Sequence, residues 1–331
     1  MSAMTGAKRG LWPRRGPTTP GSRQPGRGLD VHCNAVVHLY ASESSQVVAL
    51  RGVDLDIDSG EMLALLGPSG TGKSTLLRLL SGIIRPTAGQ IFVGGRNLRE
   101  LSARELRTLR ATEIGIVRQD AGTNLLPYAS GEENVWFAQI GARRARHPVM
   151  DPADVLEQLD LGSLAAARVN GLSGGEQQLV ALAVGVAASP NLLLVDEPTS
   201  QLDTVERDAA IALLHAINER FGSTVVIVTH DPEVAAAIPR TVTIRDGRVG
   251  AEGRHGEEFA VVGRDGSVQL PPDVLELLPP NTLLRIHRRL DGVDLRLAEP
   301  EEPSTHPAPP TTGMPVRPGG KAPAGTEAVP Q

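Results

Sequence analysis

Residues 66–75 read LGPSGTGKST, a glycine-rich stretch between an apolar run that ends at Leu66 and the segment LLRLL of residues 76–80. The apolar run is typical of a buried strand, and the segment after it of a helix. Glycines at this junction let consecutive backbone amides turn inward as a concave anion nest, to which the helix adds the positive end of its dipole. The spacing G-x-x-x-x-G-K-S predicts a triphosphate ligand, whereas an ordinary strand-to-helix turn is the alternative for an isolated match.

The side chains at the end of this loop predict how a triphosphate is held. Lys73 is expected to reach the β- and γ-phosphates, and the Ser74 hydroxyl to ligate Mg²⁺. Thr75 begins the helix, whose leucines are expected to be buried. The predicted phosphate-binding residues are Gly67, Pro68, Ser69, Gly70, Thr71, Gly72, Lys73, Ser74 and Thr75.

Composition limits the class of protein. The chain has 331 residues, 40% of them hydrophobic, which suffices for one large globular domain, a small one and tails. Its net charge of -5 gives no general attraction to nucleic acid or anionic lipid. The single cysteine, Cys33, excludes an internal disulfide and is expected to be a buried, inert thiol. We find neither an apolar run of roughly 18 residues nor a signal segment after Arg14 and Arg15, and therefore expect a soluble, cytosolic chain.

Four segments follow from the distribution of Gly, Pro and apolar residues. Residues 1–28 are rich in Gly, Pro and Arg, and residues 299–331 in Pro, Gly, Ala and Thr, so both are predicted to be disordered tails. Residues 29–253 alternate strand-like runs such as LLLVDEP and TVVIVTH with helical stretches, which predicts an α/β domain with a mainly parallel sheet. Residues 254–298 are predicted to form a small β-rich domain.

Two acidic residues end one of the predicted buried strands. Residues 192–195 read LLLV and are followed by Asp196 and Glu197, at the edge where a parallel sheet binds ligands. Asp196 is predicted to hold Mg²⁺, and Glu197 to orient and polarise the water that attacks the γ-phosphate. An acid pair at a helix N-terminus, which Pro198 permits, is the alternative. The phosphate-binding loop upstream favours the catalytic interpretation.

A second candidate anion-binding loop, LSGGEQQ, occupies residues 172–178, where a hydroxyl, two glycines and a helix start combine. In chain order, GPSGTGKST, VRQD, LSGGEQQ, LLLVDEPTSQLD and VIVTHD resemble the motifs of the ATP-binding cassette family. The resemblance covers most of residues 32–250. It implies a P-loop NTPase fold of ABC type with a helical subdomain, ATP and Mg²⁺ as cofactors, and ATP hydrolysis as the activity.

The resemblance also implies roles for single residues. Two cassettes pair head to tail in this family, as a homodimer or with a second cassette, so Ser173, Gly174 and Gly175 would contact ATP held by the partner. Gln119 matches the residue that senses Mg²⁺ and the attacking water. His230 matches the histidine that contacts the γ-phosphate. Without the resemblance, a loop amide and a strand-end cap are the plain alternatives for these two side chains.

Tyr40 is the candidate for stacking on adenine. Only 2% of the chain is aromatic, and the family usually places an aromatic residue upstream of the phosphate loop. An ordinary strand tyrosine is the alternative, because the surrounding VVHLYASESS matches the family pattern poorly.

Three positions depart from the family pattern. Leu179 and Val184 replace two charged residues that commonly follow the LSGGEQQ-type motif. Gln201 replaces the Ala or Gly usual in the loop of Asp203, which matches the acid that links the two nucleotide sites across the dimer. We therefore expect slow but genuine hydrolysis. The predicted catalytic set is complete and comprises Lys73, Gln119, Glu197 and His230.

A transport function requires a separate transmembrane permease, with this chain cytoplasmic and peripheral on the inner face of the cell membrane. The stretch RNLRELSARELRTLRATEIGIVRQ is similar to cassettes of the lipoprotein-releasing, macrolide-exporting and cell-division group. A soluble cassette ATPase or regulator that acts on nucleic acid is the alternative function. Five apolar side chains after Gln119 either contact the permease or pack the helical subdomain. They are Leu125, Leu126, Tyr128, Trp136 and Phe137.

The C-terminal pattern predicts a strand, a turn at Asp265, a second strand, a short helix after Pro272 and a hairpin around Asp291. This βαββ-like unit is similar to the AbrB-type swapped-hairpin family, whose members dimerise by exchanging strands and often bind DNA. Acidic residues offset the arginines of this segment, so there is no strong nucleic-acid signal. Dimerisation or regulation is the favoured role.

Overall fold

The computed structural model describes residues 28–41, 46–254, 257–263, 266–268, 270, 272–278, 282–289 and 292–297. Within these ranges, the strands in chain order are β1 (Val31–Ala41), β2 (Gln46–Ile57), β3 (Met62–Leu66), β4 (Ala88–Val93), β5 (Arg96–Asn97), β6 (Ile114–Val117), β7 (Leu192–Asp196), β8 (Thr224–Thr229), β9 (Arg240–Arg245), β10 (Arg248–Arg254), β11 (Glu257–Ala260), β12 (Leu284–Arg288) and β13 (Val293–Leu297).

The largest sheet among the described residues has the strand order β11-β10-β9-β3-β8-β7-β6. Strands β9, β3, β8, β7 and β6 are parallel, and β10 and β11 are added antiparallel at one end. β7 and β8 are buried almost throughout, which explains their continuous apolar sequences. The carboxyl ends of β3, β6, β7 and β8 meet at one edge of the sheet. The predicted mainly parallel α/β sheet is thus confirmed.

The helices are concentrated between β6 and β7, where α3 to α7 form the predicted helical subdomain. Helices α2, α4, α7 and α8 begin with capping boxes, in which an N-cap Ser or Asp and a Glu three residues later bind each other's backbone amides. None of the helices in the described ranges has the length and apolar character that a bilayer span requires. Their bounds are α1 (Lys73–Leu80), α2 (Ala103–Thr112), α3 (Ala121–Asn124), α4 (Gly131–Ala138), α5 (Ile140–Arg144), α6 (Pro152–Gln158), α7 (Gly174–Gly185), α8 (Thr204–Phe221), α9 (Pro232–Ala236) and α10 (Pro272–Leu277).

Two hydrophobic cores cover the two faces of the large sheet. The first contains Leu194 and joins the sheet to α1, α2 and a smaller antiparallel sheet of order β2-β1-β4-β5. The second contains Leu193 and joins the opposite face to α4, α6, α7 and α8. These neighbours on β7 enter different cores because successive strand side chains point to opposite faces. Cys33 is fully buried in the first core, and burial raises the pKa of its thiol, as expected for an inert cysteine.

The chain divides into two compact units between Val274 and Leu275. In the first unit, β11 pairs antiparallel with β10, so the large sheet continues past residue 253, where the sequence predicts a domain boundary. The second unit contains the β12-β13 hairpin. Strand β11, helix α10 and this hairpin correspond to elements predicted for the small domain. The turn residues Asp265 and Asp291, the predicted C-terminal tail and all but the last residue of the predicted N-terminal tail lie outside the described residues.

Candidate active site

The glycine-rich loop joins β3 to α1 between two other segments of backbone. Gly67 has a φ of 153° and Gly72 a φ of 102°, which favour glycine. A Cβ on Gly67 would lie 2.2 Å from the carbonyl oxygen of Ile244 in β9. A Cβ on Gly72 would lie 2.4 Å from the carbonyl oxygen of Ala49 in β2. The loop is therefore held between β9 and β2 so closely that only glycine fits at both positions.

Lys73 anchors its ammonium group inside this loop. Nζ donates hydrogen bonds to the carbonyl oxygens of Gly67 at 2.6 Å and Pro68 at 2.9 Å. Burial lowers the pKa of Lys73, while the nearby carboxylates of Glu197 and Asp196 oppose that shift. The loop thus holds a cation beside two acids, where the sequence predicts that phosphate binds.

The residues predicted to ligate Mg²⁺ through a hydroxyl and a carboxylate are hydrogen-bonded to each other. Ser74 Oγ donates to Asp196 Oδ1 at 3.1 Å. Burial raises the pKa of Asp196 above its ordinary value, the Ser74 hydrogen bond opposes this, and the charge of Glu197 adds to the rise. Oxygen donors of these two kinds are the ligands that Mg²⁺ prefers. The chemistry of the pair therefore fits a magnesium site.

Glu197 is held in an uncommon backbone conformation beside His230. Its φ is 49°, and its N–H donates to the carbonyl oxygen of Val228 at 2.9 Å. Such conformations cost free energy and are frequent at functional sites. Glu197 Oε2 lies 2.8 Å from Nδ1 of His230, whose side chain is 55% exposed and so accessible to a ligand. The neighbouring strands β7 and β8 thus deliver an acid and an imidazole to one place.

Gln119 reaches the same edge of the sheet from the loop after β6. Its Nε2 lies 3.5 Å from Oγ of Ser200, and that hydroxyl donates to the main-chain oxygen of Glu197 at 3.3 Å. Sequence reasoning did not single out Ser200, although its position three residues after Glu197 was an available signal. The predicted residues that the tertiary structure brings to this edge are Lys73, Ser74, Gln119, Asp196, Glu197 and His230.

Tyr40 lies beside the start of α1. Its Oη is 3.3 Å from Oγ1 of Thr75 and accepts a hydrogen bond from Nη1 of Arg78 at 3.4 Å. The Tyr40 ring packs edge-on against the buried ring of His38, with 4.8 Å between the centroids. Sequence reasoning missed Arg78 and His38. The signal for His38 was its spacing of two residues from Tyr40, which places both on one face of β1.

The LSGGEQQ segment forms the start of α7, with Ser173 as the N-cap. Ser173 Oγ accepts from the Glu176 N–H at 3.1 Å, and the Glu176 carboxylate accepts from the Ser173 N–H at 2.8 Å. Asp203 caps α8 in the same way and accepts from the Glu206 N–H at 2.9 Å. Within the described part of the chain, no hydrogen bond joins residues 173–175 to the glycine-rich loop. Their contact with a nucleotide stays a prediction.

Comparison with known proteins tests the family resemblance of the sequence motifs. The family model described as ABC transporter matches residues 50–200. The lipoprotein-releasing system ATP-binding protein LolD of Anaeromyxobacter dehalogenans (strain 2CP-C) is 43% identical over 208 residues, which cover 62% of this chain and 86% of that protein. The chain belongs to the ABC transporter family.

Two further ABC relatives bear on the fold and the subgroup. The macrolide export ATP-binding/permease protein MacB of Rhodopirellula baltica is 41% identical over 218 residues, which cover 65% of this chain and 32% of that protein. The chain thus spans about a third of MacB. The solved dimeric post-hydrolysis state of the ATP-binding cassette MJ0796, bound to ADP and Pi, is 33% identical, with a TM-score of 0.60 over 68% of this chain and 98% of that chain.

These relationships decide several of the sequence predictions. The ABC-type cassette fold, the function as an ATP-binding subunit of an ABC transporter and the ATPase activity are confirmed. The similarity to lipoprotein-releasing and macrolide-export cassettes is confirmed by LolD and MacB. The roles of single site residues, the Mg²⁺ site and the relation of the C-terminal segment to swapped-hairpin domains stay predictions.

Two of the three departures from the ABC pattern pack against the protein core. Leu179 and Val184 lie on α7 and are partly buried against the second core. Gln201 is exposed just before α8. Apolar contacts therefore occupy the two positions where the family resemblance implies charged residues, and the expected slow turnover stays a prediction.

Proposed function

We propose that this chain binds ATP as a dimer, hydrolyses it, and drives a separate transmembrane permease from the inner face of the cell membrane. The hydrogen-bonded pair of Glu197 and His230, beside Lys73 and Asp196, carries this proposal. The dimeric MJ0796 structure supports the dimer. The names of the LolD and MacB relatives support a permease-coupled role.

In the proposed mechanism, the glycine-rich loop holds ATP with Lys73 at its β- and γ-phosphates. Glu197 accepts a proton from water as the water oxygen bonds to the γ-phosphorus. The bond from that phosphorus to the oxygen shared with the β-phosphate breaks, and ADP and phosphate result. His230 donates to the γ-phosphate and orients the Glu197 carboxylate. Loss of the terminal phosphate lets the dimer open, and this two-state change performs work on the permease.

The remaining predicted residues bind the nucleotide or its metal ion. Mg²⁺ would be held by Ser74, Asp196 and Gln119, which offer a hydroxyl, a carboxylate and an amide oxygen. The bound ion would neutralise charge on the phosphates. Tyr40 would stack on adenine. The residues that would meet the partner's nucleotide are Ser173, Gly174, Gly175 and Asp203.

The proposed permease contact is an exposed apolar surface on the helical subdomain, which we name the subdomain patch. It consists of Leu126, Tyr128, Trp136 and Phe137, which are 41%, 81%, 51% and 53% exposed. Leu125 is buried in the second core and supports the subdomain instead. Four large apolar groups that are exposed within residues 126–137 favour a protein contact. The patch follows Gln119 in the chain, so movement of the loop that carries Gln119 could be passed to the patch through the connecting backbone.

Co-purification tests the permease assignment. The tagged chain, extracted from membranes in mild detergent, is expected to retain a protein with several membrane spans that stimulates its ATPase activity. Trp136→Glu should abolish both retention and stimulation while leaving basal hydrolysis intact. Ile83→Glu is the matched control, because Ile83 is 51% exposed, as Trp136 is, and lies outside the patch. Failure of the unmodified chain to retain any such protein would overturn the assignment.

We also propose that residues 254–298 form a dimerisation or regulatory element. The hairpin β12-β13 supports this, because it exposes apolar side chains that water does not favour. Deletion of residues 275–298, which leaves β11 in the large sheet, should weaken self-association in sedimentation experiments without nucleotide. A gel-shift titration with and without the segment tests the nucleic-acid alternative, which salt-sensitive binding lost on deletion would favour. The exposed apolar side chains are Leu283, just before β12, and, in the hairpin itself, Ile286, Val293, Leu295 and Leu297.

A further inference from the structure

Glu206, in the first turn of α8, holds backbone N–H groups from two different segments. Its Oε1 accepts a hydrogen bond from the Gly175 N–H at 3.2 Å. Its Oε2 accepts one from the Asp203 N–H at 3.3 Å. Gly175 belongs to the LSGGEQQ segment, and Asp203 to the loop before α8. One carboxylate therefore joins two segments that are about thirty residues apart in the chain.

The packing at Gly175 is built around this carboxylate. A Cβ on Gly175 would lie 2.5 Å from Cδ of Glu206, whereas a Cβ on the neighbouring Gly174 would have nothing within 4 Å. The glycine at position 175 thus lets the acid approach the backbone. The Asp203 side chain in turn accepts from the Glu206 N–H at 2.9 Å, which fixes the start of α8 that carries the carboxylate. Hydrogen bonds to a charged acceptor are among the stronger ones in proteins.

We propose that Glu206 is a positioning residue for ATP-dependent dimerisation. It fixes residues 173–175 relative to Asp203, so that both segments meet the partner's nucleotide as one unit. This inference rests on the proposed function, in which these residues contact ATP held by the other subunit. A site assembled across two subunits forms more readily when its elements are ordered beforehand, because less conformational entropy is lost on association.

Glu206→Gln is the decisive variant. Glutamine is accepted at this position of a capping box, so the start of α8 is expected to persist. Its single amide oxygen accepts from only one of the two N–H groups, and the amide NH₂ faces the other as a second donor. In the Glu197→Gln background, we expect the ATP-dependent dimer to weaken about tenfold, the effect of one lost charge-assisted bond. Affinity for ADP, which reports the subunit's own loop, should not change.

The matched control is Glu219→Gln, which makes the same charge change on the same helix. Glu219 is exposed near the end of α8. This variant should dimerise like its parent and bind ADP equally well. A normal thermal unfolding midpoint in both variants would show that the fold is intact. A general loss of helix stability would lower that midpoint in Glu206→Gln and affect ADP binding as well, which would contradict a positioning role.

Hydrogen exchange without nucleotide measures the contact directly. The amides of residues 172–178 should exchange faster in Glu206→Gln than in the unmodified chain or in Glu219→Gln, because the Gly175 N–H loses its acceptor. Unchanged exchange, or an unchanged dimer in Glu206→Gln, would overturn this inference while leaving the proposed function standing. If the Glu197→Gln parent itself stays monomeric with saturating ATP and Mg²⁺, the proposed function fails, and this inference fails with it.

Discussion

The Nδ1 atom of His230 lies 2.8 Å from Oε2 of Glu197, at the ends of two neighbouring parallel strands. The residue proposed to contact the γ-phosphate and the residue proposed to activate water therefore form one hydrogen-bonded pair. A pair of this kind links phosphate binding to the orientation of the base, because a movement of the imidazole changes the hydrogen bond that holds the carboxylate. We nevertheless expect substitutions of Glu197 and of His230 to have separate effects on turnover and on nucleotide binding.

Glu197→Gln keeps the size of the side chain and removes the proton acceptor. We expect turnover, measured as phosphate release, to fall by about 100-fold or more, which is the usual contribution of a general base. Nucleotide binding should persist, so an ATP-bound dimer should accumulate and be visible by light scattering. Glu219→Gln serves as the control. Undiminished turnover in Glu197→Gln would show that another group orients the water.

His230→Ala should lower kcat by about 100-fold, the typical effect of removing one group that stabilises developing charge. Affinity for ADP should stay near that of the unmodified chain, because ADP lacks the γ-phosphate. Steady-state kinetics and equilibrium ADP binding provide the two measurements. A matching loss of ADP affinity would instead assign His230 a role in holding the loop after β8.

Lys73→Ala should weaken ATP binding by about 10- to 100-fold, since hydrogen bonds to charged groups contribute about 1.5–3 kcal/mol. Two of the three Nζ donors bind the carbonyl oxygens of Gly67 and Pro68, so contact with both phosphates exchanges at least one of these bonds. Equilibrium titration with ATP and with ADP measures the effect. Arg104→Ala, at an exposed position of α2, is the control. Equal affinity in Lys73→Ala would exclude direct phosphate contact.

Gly72→Ala and Gly70→Ala separate steric conflict from backbone strain. Gly70 has a φ of 81° and open space around a Cβ, so alanine there should cost only about 1–2 kcal/mol of unfolding free energy. Gly72→Ala adds a conflict with the Ala49 carbonyl oxygen and should cost more, with loss of nucleotide binding. Denaturant unfolding and ADP titration measure both effects. Equal behaviour of the two variants would argue against the close packing of this loop on β2.

Arg240→Met tests the ion-pair cluster that fastens β9 to its neighbours. Arg240 is buried and contacts Glu61 Oε2 at 3.0 Å and Glu252 Oε1 at 2.9 Å. Its removal takes the Arg240 partner from Glu61 and leaves Glu252 with only the half-exposed Arg254, and should lower the free energy of unfolding by about 3 kcal/mol. Arg254→Met is the control, because Arg254 is a half-exposed partner of Glu252 and should contribute less than about 1 kcal/mol. Similar losses of unfolding free energy in both variants would contradict the assignment of Arg240 as the main cation of this cluster.

The same cluster predicts a pH dependence. Burial alone would raise the pKa of Glu252, but hydrogen bonds from Arg240 and Arg254 lower it overall. A carboxylate whose pKa is lowered in the folded state stabilises the fold when the pH is above the pKa that the group has in the unfolded chain. This contribution disappears as the pH falls through the folded-state pKa. The stability difference between Arg240→Met and the unmodified chain should therefore narrow below about pH 4. Unfolding curves from pH 3.5 to 7 would show this, and a constant difference would contradict it.

Local patterns were sufficient to predict the elements that carry the site. The glycine spacing of residues 67–72 predicted a loop between a strand and a helix, because the left-handed φ angles required there are accessible only to glycine at low cost. The continuous apolar runs of β7 and β8 predicted strands buried on both faces. Ser173 and Asp203, each followed by Glu three residues later, began helices as capping boxes.

Contacts between distant segments were not predictable in the same way. Ser200, which connects Gln119 to Glu197, is a polar residue with no distinctive local pattern. The capping-box spacing of Glu206 predicts its bond to the Asp203 N–H, but not the bond that it accepts from the distant Gly175 N–H. Likewise, nothing in their types distinguishes Leu125, which is buried, from the exposed Leu126. Burial of one and exposure of the other depend on which side of the subdomain faces the sheet.

The sequence by itself determined which segments become strands, helices and anion-binding turns, since those choices depend on spacing and backbone preference within about ten residues. Only the tertiary structure decided which of their ends meet. The order β3-β8-β7-β6 places Lys73, Glu197, His230 and Gln119 at one edge. That order results from the simultaneous packing of two cores on opposite faces of the sheet, an interaction among residues far apart in the chain.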